Sequence, residues 1–196
     1  MKYLKSILQR LYPCGKCRVG KAVYLTFDDG PIPEVTPKVL AILNHYKVKA
    51  TLFMVGENID KHPEVFEMVV KGGHAVGNHT YNHIKGWRVS TAEYVANVQK
   101  FPKPTKLFRP PYGRTWVWQR RAVQQLGYEI YLWDVLTRDY NPKRTPEAMF
   151  RQIQRCTRPG SIINFHDSLK SNERMLEVLP KAIEWLLANG YELKTL

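Results

Sequence analysis

Apolar and polar positions alternate between two periods along the chain. Residues 22–27, AVYLTF, alternate in part and are rich in β-formers, which predicts a strand. In 33–46, PEVTPKVLAILNHY, Val39, Leu40, Leu43 and Tyr46 fall on one helical stripe. The short apolar run 50–55, ATLFMV, suits a strand buried on both faces. HPEVFEMVVKGG, 62–73, reads as a helix with Pro63 in its first turn and glycines at its end. A strand at 74–78 follows, then a helix at 90–100 that opens on a Ser90/Glu93 capping box. Next come a short strand at 106–108, a helix at 114–127 closed by Gly127, and a strand at 128–133, YEIYLW. The helix at 145–156 carries Thr145 as cap and Pro146 at its first position. A strand at 161–165, SIINF, precedes a helix at 172–190 that Pro180 should kink or split, and 191–196 closes the chain. About seven strands alternating with helices predict a single parallel α/β domain. A doubly wound sheet and a barrel both satisfy that count.

The length of 196 residues fits one domain with a substantial core, here residues 21–196, after a basic N-terminal extension over 1–20 that is helical in part. Lys and Arg outnumber Asp and Glu by 30 to 17, a net charge of +13, which favours anionic partners. The basic residues are spread along the chain without a nucleic-acid reader signature, so no specific nucleic acid is expected. Leu4, Ile7, Leu8 and Leu11 form a stripe with lysines alongside, which either packs on the domain or brings residues 1–12 against an anionic membrane. Packing is the preferred reading. No apolar run spans a bilayer and no secretory signal is evident, so the expected location is the cytoplasm or the inner membrane face. Three cysteines fit a reduced compartment, and Cys14 and Cys17 lack the further ligands of a zinc site.

Residues capable of chemistry collect at the predicted C-terminal ends of different strands. Asp28 and Asp29 follow the first, His79 and His83 the third, Arg109 to Tyr112 the fourth, Asp139 the fifth, and His166 and Asp167 the sixth. That rim is where parallel α/β folds bind ligands. His79 and His83 are four apart, so one helical turn would face both imidazoles to a common point. Asp29 adds an oxygen, and the resulting mixture suits zinc with positions left open, although other divalent ions accept it. His45 reads as solvent-facing, His62 as a helix cap and His74 as packed; of Trp116 and Trp118, at least one is expected in the core. His166, on an apolar strand and followed by Asp167, has the placement of an acid or base.

The motifs TFDDGP (26–31), HTYNH (79–83), RPPYG (109–113) and FHD (165–167), in this order, resemble the polysaccharide deacetylases, or NodB-homology domains, of carbohydrate esterase family 4. The resemblance runs from about Lys21 to the C-terminus and implies a distorted (β/α)7 barrel. It implies one divalent cation, usually zinc with cobalt, nickel or manganese as alternatives, on Asp29, His79 and His83. Asp28 then matches the general base, His166 the general acid, Arg109 the residue that orients the base, and Tyr112 the backbone donor to the oxyanion. The sequence departs from the pattern at two motifs. LTRDY (136–140) has Leu136 where the family usually has Asp and Tyr140 where it has Trp, while Asp139 is kept to orient Arg109 or His166. Asn164 replaces an apolar residue that helps line the acetyl-methyl pocket.

The function that follows is metal-dependent removal of N-acetyl groups from amino sugars of a glycan or glycoconjugate. One rival is hydrolysis of another non-peptide C–N bond, in a small amide or imide, to which Asn164 lends weight. The other is a non-catalytic, basic glycan-binding module, against which the joint presence of Asp28, Asp29, His79, His83 and His166 argues.

Overall fold

The computed structural model describes residues 20–196; the expected N-terminal helix, with its membrane or packing face, and Cys14 and Cys17 lie outside them. Eight strands occur: β1 (Ala22–Asp28), β2 (Thr51–Met54), β3 (Ala75–Asn78), β4 (Leu107–Phe108), β5 (Glu129–Ile130), β6 (Val135–Leu136), β7 (Ile162–His166) and β8 (Glu192–Leu193). Seven helices connect them: α1 (Thr36–His45), α2 (Gly56–Lys61), α3 (Pro63–Lys71), α4 (Thr91–Gln99), α5 (Val117–Gln125), α6 (Pro146–Cys156) and α7 (Asn172–Ala188). Every strand pairing is parallel, in the order β5-β4-β3-β2-β1-β7-β6, and β8 pairs with the start of β1. The curled sheet is the distorted barrel that the motifs implied.

β1 is central and buried along its whole length. Val23, Leu25 and Phe27 face the helices and join the main core with Ile163, Phe165 and the buried stripe of α7. Tyr24 belongs to the second cluster, with Phe53, Tyr131 and Ile162 inside the curl. By the period-two rule Thr26 and Asp28 share that inner face, so a strand apolar toward the helices delivers a carboxylate to the barrel mouth.

The observed elements differ from expectation at three places. YEIYLW pairs only at Glu129–Ile130; the chain then crosses from β4 to β7, with Tyr131 N–H donating to Phe108 O and Asp134 N–H to Ile162 O, before the unforeseen β6. α2, whose sequence GENIDK is mostly polar, was not foreseen either. Pro180 lies inside α7 without splitting it. An interior proline costs about 3 kcal/mol, but Met175, Val178 and Leu179 before it and Ala182, Ile183 and Leu186 after it are all buried, and this packing outweighs the lost bond.

The capping signals hold at Ser90, which accepts from Glu93 N–H at 3.2 Å, and at Thr145, which accepts from Ala148 N–H at 3.2 Å. His62 occupies the cap position of α3 but makes no side-chain cap bond; only its carbonyl accepts from Val65 and Phe66. His45 is exposed, and His74 is half-buried with its Nδ1 accepting from Ala50 N–H, as expected of each.

Phe165 stacks on Phe27 with ring centroids 5.7 Å apart and is fully buried. Phe165→Ala is expected to destabilise the fold by about 3–5 kcal/mol, the range for truncating a buried aromatic. Urea unfolding measures this; a loss under about 1 kcal/mol would contradict the packing described.

Candidate active site

Asp29, His79 and His83 converge, their ligand-capable atoms all lying within 4.8 Å of one another. His83 Nε2 stands 3.3 Å and His79 Nε2 3.8 Å from Asp29 Oδ1. Bonds of about 2.0–2.1 Å in a tetrahedral arrangement place ligand atoms about 3.4 Å apart, so the trio needs little adjustment to share one ion. His79 Nδ1 lies 2.7 Å from Arg109 O. A carbonyl only accepts, so Nδ1 carries the proton and the lone pair on Nε2 faces the cluster. The donor set therefore fits a divalent cation.

A helical turn was expected to bring the two histidines together, but residues 79–85 form a loop. Positive φ at Thr80 (66°) and His83 (56°) folds the loop back, leaving the imidazole centroids 5.1 Å apart. Asn78 fixes its start: Oδ1 accepts from Thr80 N–H at 2.7 Å while Nδ2 donates to Val98 O and Tyr128 Oη. Asp29 and Tyr112 also have positive φ, 89° and 61°. Among the described residues, four of the six non-glycine residues with positive φ thus surround one point, where such strain commonly marks function. Asn58 Nδ2 supports the turn at Asp29 by donating to Asp29 O at 2.8 Å.

Asp28 sits behind Asp29, almost fully buried. Arg109 Nη1 donates to its Oδ1 at 2.7 Å and Asn164 Nδ2 to its Oδ2 at 2.9 Å. Arg109 is wholly enclosed, over the ring of Phe53 at 4.0 Å; Nε and Nη2 donate to Tyr131 O and Leu132 O. Burial lowers the pKa of its guanidinium, opposed by Asp28. Asn164 is fully buried beneath Asp28. Leu136, in register with Asn164 on the same inner face of the sheet, is the half-buried apolar residue at that edge.

On the opposite side, His166 Nδ1 lies 2.8 Å from Asp139 Oδ1, and His166 N–H donates to Asp139 Oδ2 at 2.7 Å. Asp139 thus holds His166, and the arginine is held by other groups. Burial lowers the pKa of His166, but the hydrogen bond and charge of Asp139, aided by Asp28 and Asp29, outweigh it and raise the value to about 9 in the metal-free protein. Burial pulls His79 down to about 4. At Asp29 burial raises the pKa, yet the hydrogen bond from His83 and the charges of His166, His79 and His83 leave it well below the usual carboxylate range. Tyr140 meets His166 edge-on at 4.9 Å, and Tyr112 meets His83 at 4.8 Å.

Beyond Tyr112 the rim is aromatic and basic. Trp87 packs edge-on to Tyr112 at 5.2 Å, with Arg114 over Trp87 at 4.9 Å and Lys85 over Tyr112 at 5.6 Å. Neither Trp116 nor Trp118 enters the core. Trp116 precedes α5 rather than lying within it, so the two rings do not point to opposite sides of a helix; they stack 5.1 Å apart, 46% and 57% exposed.

Asp167 had no assigned role, and its importance is structural. Its Oδ1 accepts from Gly30 N–H at 3.0 Å and its Oδ2 from Thr36 Oγ1 at 2.6 Å, latching the loop that carries Asp29. A Cβ at Gly30 would lie 2.1 Å from Asp167 Oδ2, so only glycine allows the approach. The signal for the latch was the pair of Gly30 and an acid following His166, legible only once β1 and β7 are known to be neighbours.

A family model described as polysaccharide deacetylase matches residues 15–131. A peptidoglycan-N-acetylglucosamine deacetylase of Bacillus cereus is 31% identical over 89% of this chain and 86% of its own length. A chitooligosaccharide deacetylase of Azorhizobium caulinodans is also 31% identical, over 89% and 92%. The crystal structure of a peptidoglycan N-acetylglucosamine deacetylase in complex with 4-naphthalen-1-yl-N-oxidanyl-benzamide superposes with a TM-score of 0.84 at 33% identity, covering 90% of this chain and 86% of that one.

Burial raises the Asp167 carboxyl to about 7. A carboxyl with a raised folded-state pKa adds stability that is full below its unfolded value, near 4, and is lost as pH rises through about 7. In the metal-free protein, the stability advantage of wild type over Asp167→Asn should therefore grow as pH falls from 7 to 4. Thermal unfolding of both proteins across that range tests it; a constant difference contradicts the assignment.

Proposed function

We propose, from the premise that the chain belongs to the polysaccharide deacetylase family, that it removes N-acetyl groups from amino sugars of a glycan with the help of a divalent cation on Asp29, His79 and His83. The observation that carries this reading is the adjacency of that trio to a carboxylate clamped by a buried arginine, with a carboxylate-paired histidine across the mouth. Two nitrogens and one oxygen suit zinc best, with cobalt, nickel or manganese as substitutes.

An amide carbonyl is a poor electrophile and water a poor nucleophile at neutral pH. The bound cation supplies Lewis acidity for both partners. Asp28, held at both oxygens, takes the proton from the attacking water as general base. His166, hydrogen-bonded through Nδ1–H to Asp139 and held as the imidazolium at neutral pH, carries a second proton on Nε2 to give to the departing amine. Tyr112, turned into the left-handed region beside His83, directs its backbone N–H toward the developing oxyanion. Leu136 offers the acyl methyl an apolar wall beside Asn164.

The relatives that act on peptidoglycan and chitooligosaccharide support a polymeric substrate. So does the rim, where Trp87 and Tyr112 present rings to a sugar face while Arg114 and Lys85 favour a glycan bearing carboxylates. Small-amide hydrolysis drew its case from a polar group in the acyl pocket, and the bonds of Asn164 to Asp28, Arg109 and Thr26 support a different use of that amide.

Zinc-loaded protein is expected to release acetate from peptidoglycan faster than from neutral chitooligosaccharides. Asp28→Asn should lower kcat by about 10²–10⁴, the usual contribution of a positioned base, while retaining metal. Acetate release quantified alongside metal content decides. Turnover of small amides without acetate from either glycan would favour the rival hydrolase, and a metal-free protein that binds glycan would favour the binding module.

A further inference from the structure

The polar group on which the base leans is an amide from the neighbouring strand. Asn164 Nδ2 donates to Asp28 Oδ2 at 2.9 Å, and Asn164 Oδ1 accepts from Arg109 Nη1 at 2.6 Å and from Thr26 Oγ1 at 3.0 Å. Arg109 Nη1 in turn donates to Asp28 Oδ1 at 2.7 Å. Carboxylate, guanidinium and amide form a closed three-membered circuit, and Asn164, Arg109 and Thr26 are fully buried. Asp28 and His166 are paired in register between β1 and β7, and Thr26 is paired with Asn164 two residues deeper. The circuit therefore forms the floor directly beneath the two proposed proton-transfer groups.

The torsion that turns a carboxylate about its Cβ–Cγ bond has broad, shallow wells. A single donor at Oδ1 leaves Oδ2 able to swing, whereas a second donor at Oδ2, itself tied to the first, fixes the plane. The amide accepts from Arg109 with one atom while donating to Asp28 with the other. An apolar side chain meets neither need. A carboxylate would meet the arginine but oppose Asp28.

We infer that Asn164 is a positioning residue for the reaction, setting the plane of the Asp28 carboxylate through its simultaneous bonds to Asp28 and Arg109. The inference rests on the reading of Asp28 as the base. It assigns Asn164 a role in turnover and none in selecting the acyl group.

Two variants test this. Asn164→Asp is nearly isosteric and keeps the acceptor for Arg109, but it removes the donor to Asp28; Asn164→Leu removes both. On zinc-loaded protein each should lower kcat at least tenfold with KM changed less than twofold. Metal content and the ratio of N-propionyl to N-acetyl turnover should be unchanged. Crystal structures of the variants should show the Asp28 carboxylate rotated from its present plane. If Asn164→Leu turns over within twofold of wild type, neither bond is needed and the inference is overturned. An altered acyl ratio with kcat unchanged would overturn it too, by assigning Asn164 to substrate selection. Should wild type release no acetate, the proposed function fails separately, and the crystal structures still decide this point: an unmoved Asp28 carboxylate in both variants overturns the positioning role.

Discussion

A guanidinium sealed from solvent has to find its counter-charge and hydrogen-bond acceptors inside the protein, and Arg109 organises the barrel around that need. Burial of an isolated charge costs several kcal/mol, and the protein meets the demand with Asp28, Asn164, Thr26 and two backbone carbonyls. Those carbonyls belong to Tyr131 and Leu132, in the segment that bridges β4 and β7. The cation at the end of β4 thereby ties the two sides of the curled sheet together. The same group orients Asp28 through its side chain and His79 through its own carbonyl, so one residue links the fold, the proposed base and the proposed metal ligands.

The mouth above this anchor is built from backbone that resists its own conformation. Asp29, Thr80, His83 and Tyr112 adopt positive φ, a state that costs of order 1–3 kcal/mol for a side-chain-bearing residue. Dedicated side chains support several of these turns: Asn58 at Asp29, Asn78 at Thr80, and Asp167 on the glycine that follows Asp29. None of these three touches the proposed reaction. They hold the elements that do, which is why polar residues are buried so densely around an otherwise apolar barrel.

Much of this was legible in the sequence where local signals and tertiary structure agree. β1 ends in Asp28 as its pattern indicates, and the capped helices begin at Ser90 and Thr145 as read. Asp29, His79 and His83 meet as proposed, although a strained loop replaces the expected helical turn. The failures have separate physical sources. YEIYLW has strand composition, but Tyr131 and Leu132 turn their carbonyls to Arg109 and so leave the ladder. The partners of Asn164, namely Thr26, Asp28 and Arg109, lie on other strands and could not be read from its own segment. Pro180 was weighed by its cost alone, without the buried residues on either side of it. At least one of Trp116 and Trp118 was expected in the core, whereas both are exposed and stack on each other at the surface.

The account depends on Asp29, His79 and His83 holding one cation beside Asp28. Anomalous diffraction at the zinc edge, from crystals grown with zinc, tests it most directly. The account predicts a single strong peak about 2.0–2.2 Å from one Asp29 oxygen and from the Nε2 atoms of both histidines, with Asp28 outside bonding range. No peak at that point, or a peak bonded to Asp28 in place of Asp29, would contradict it.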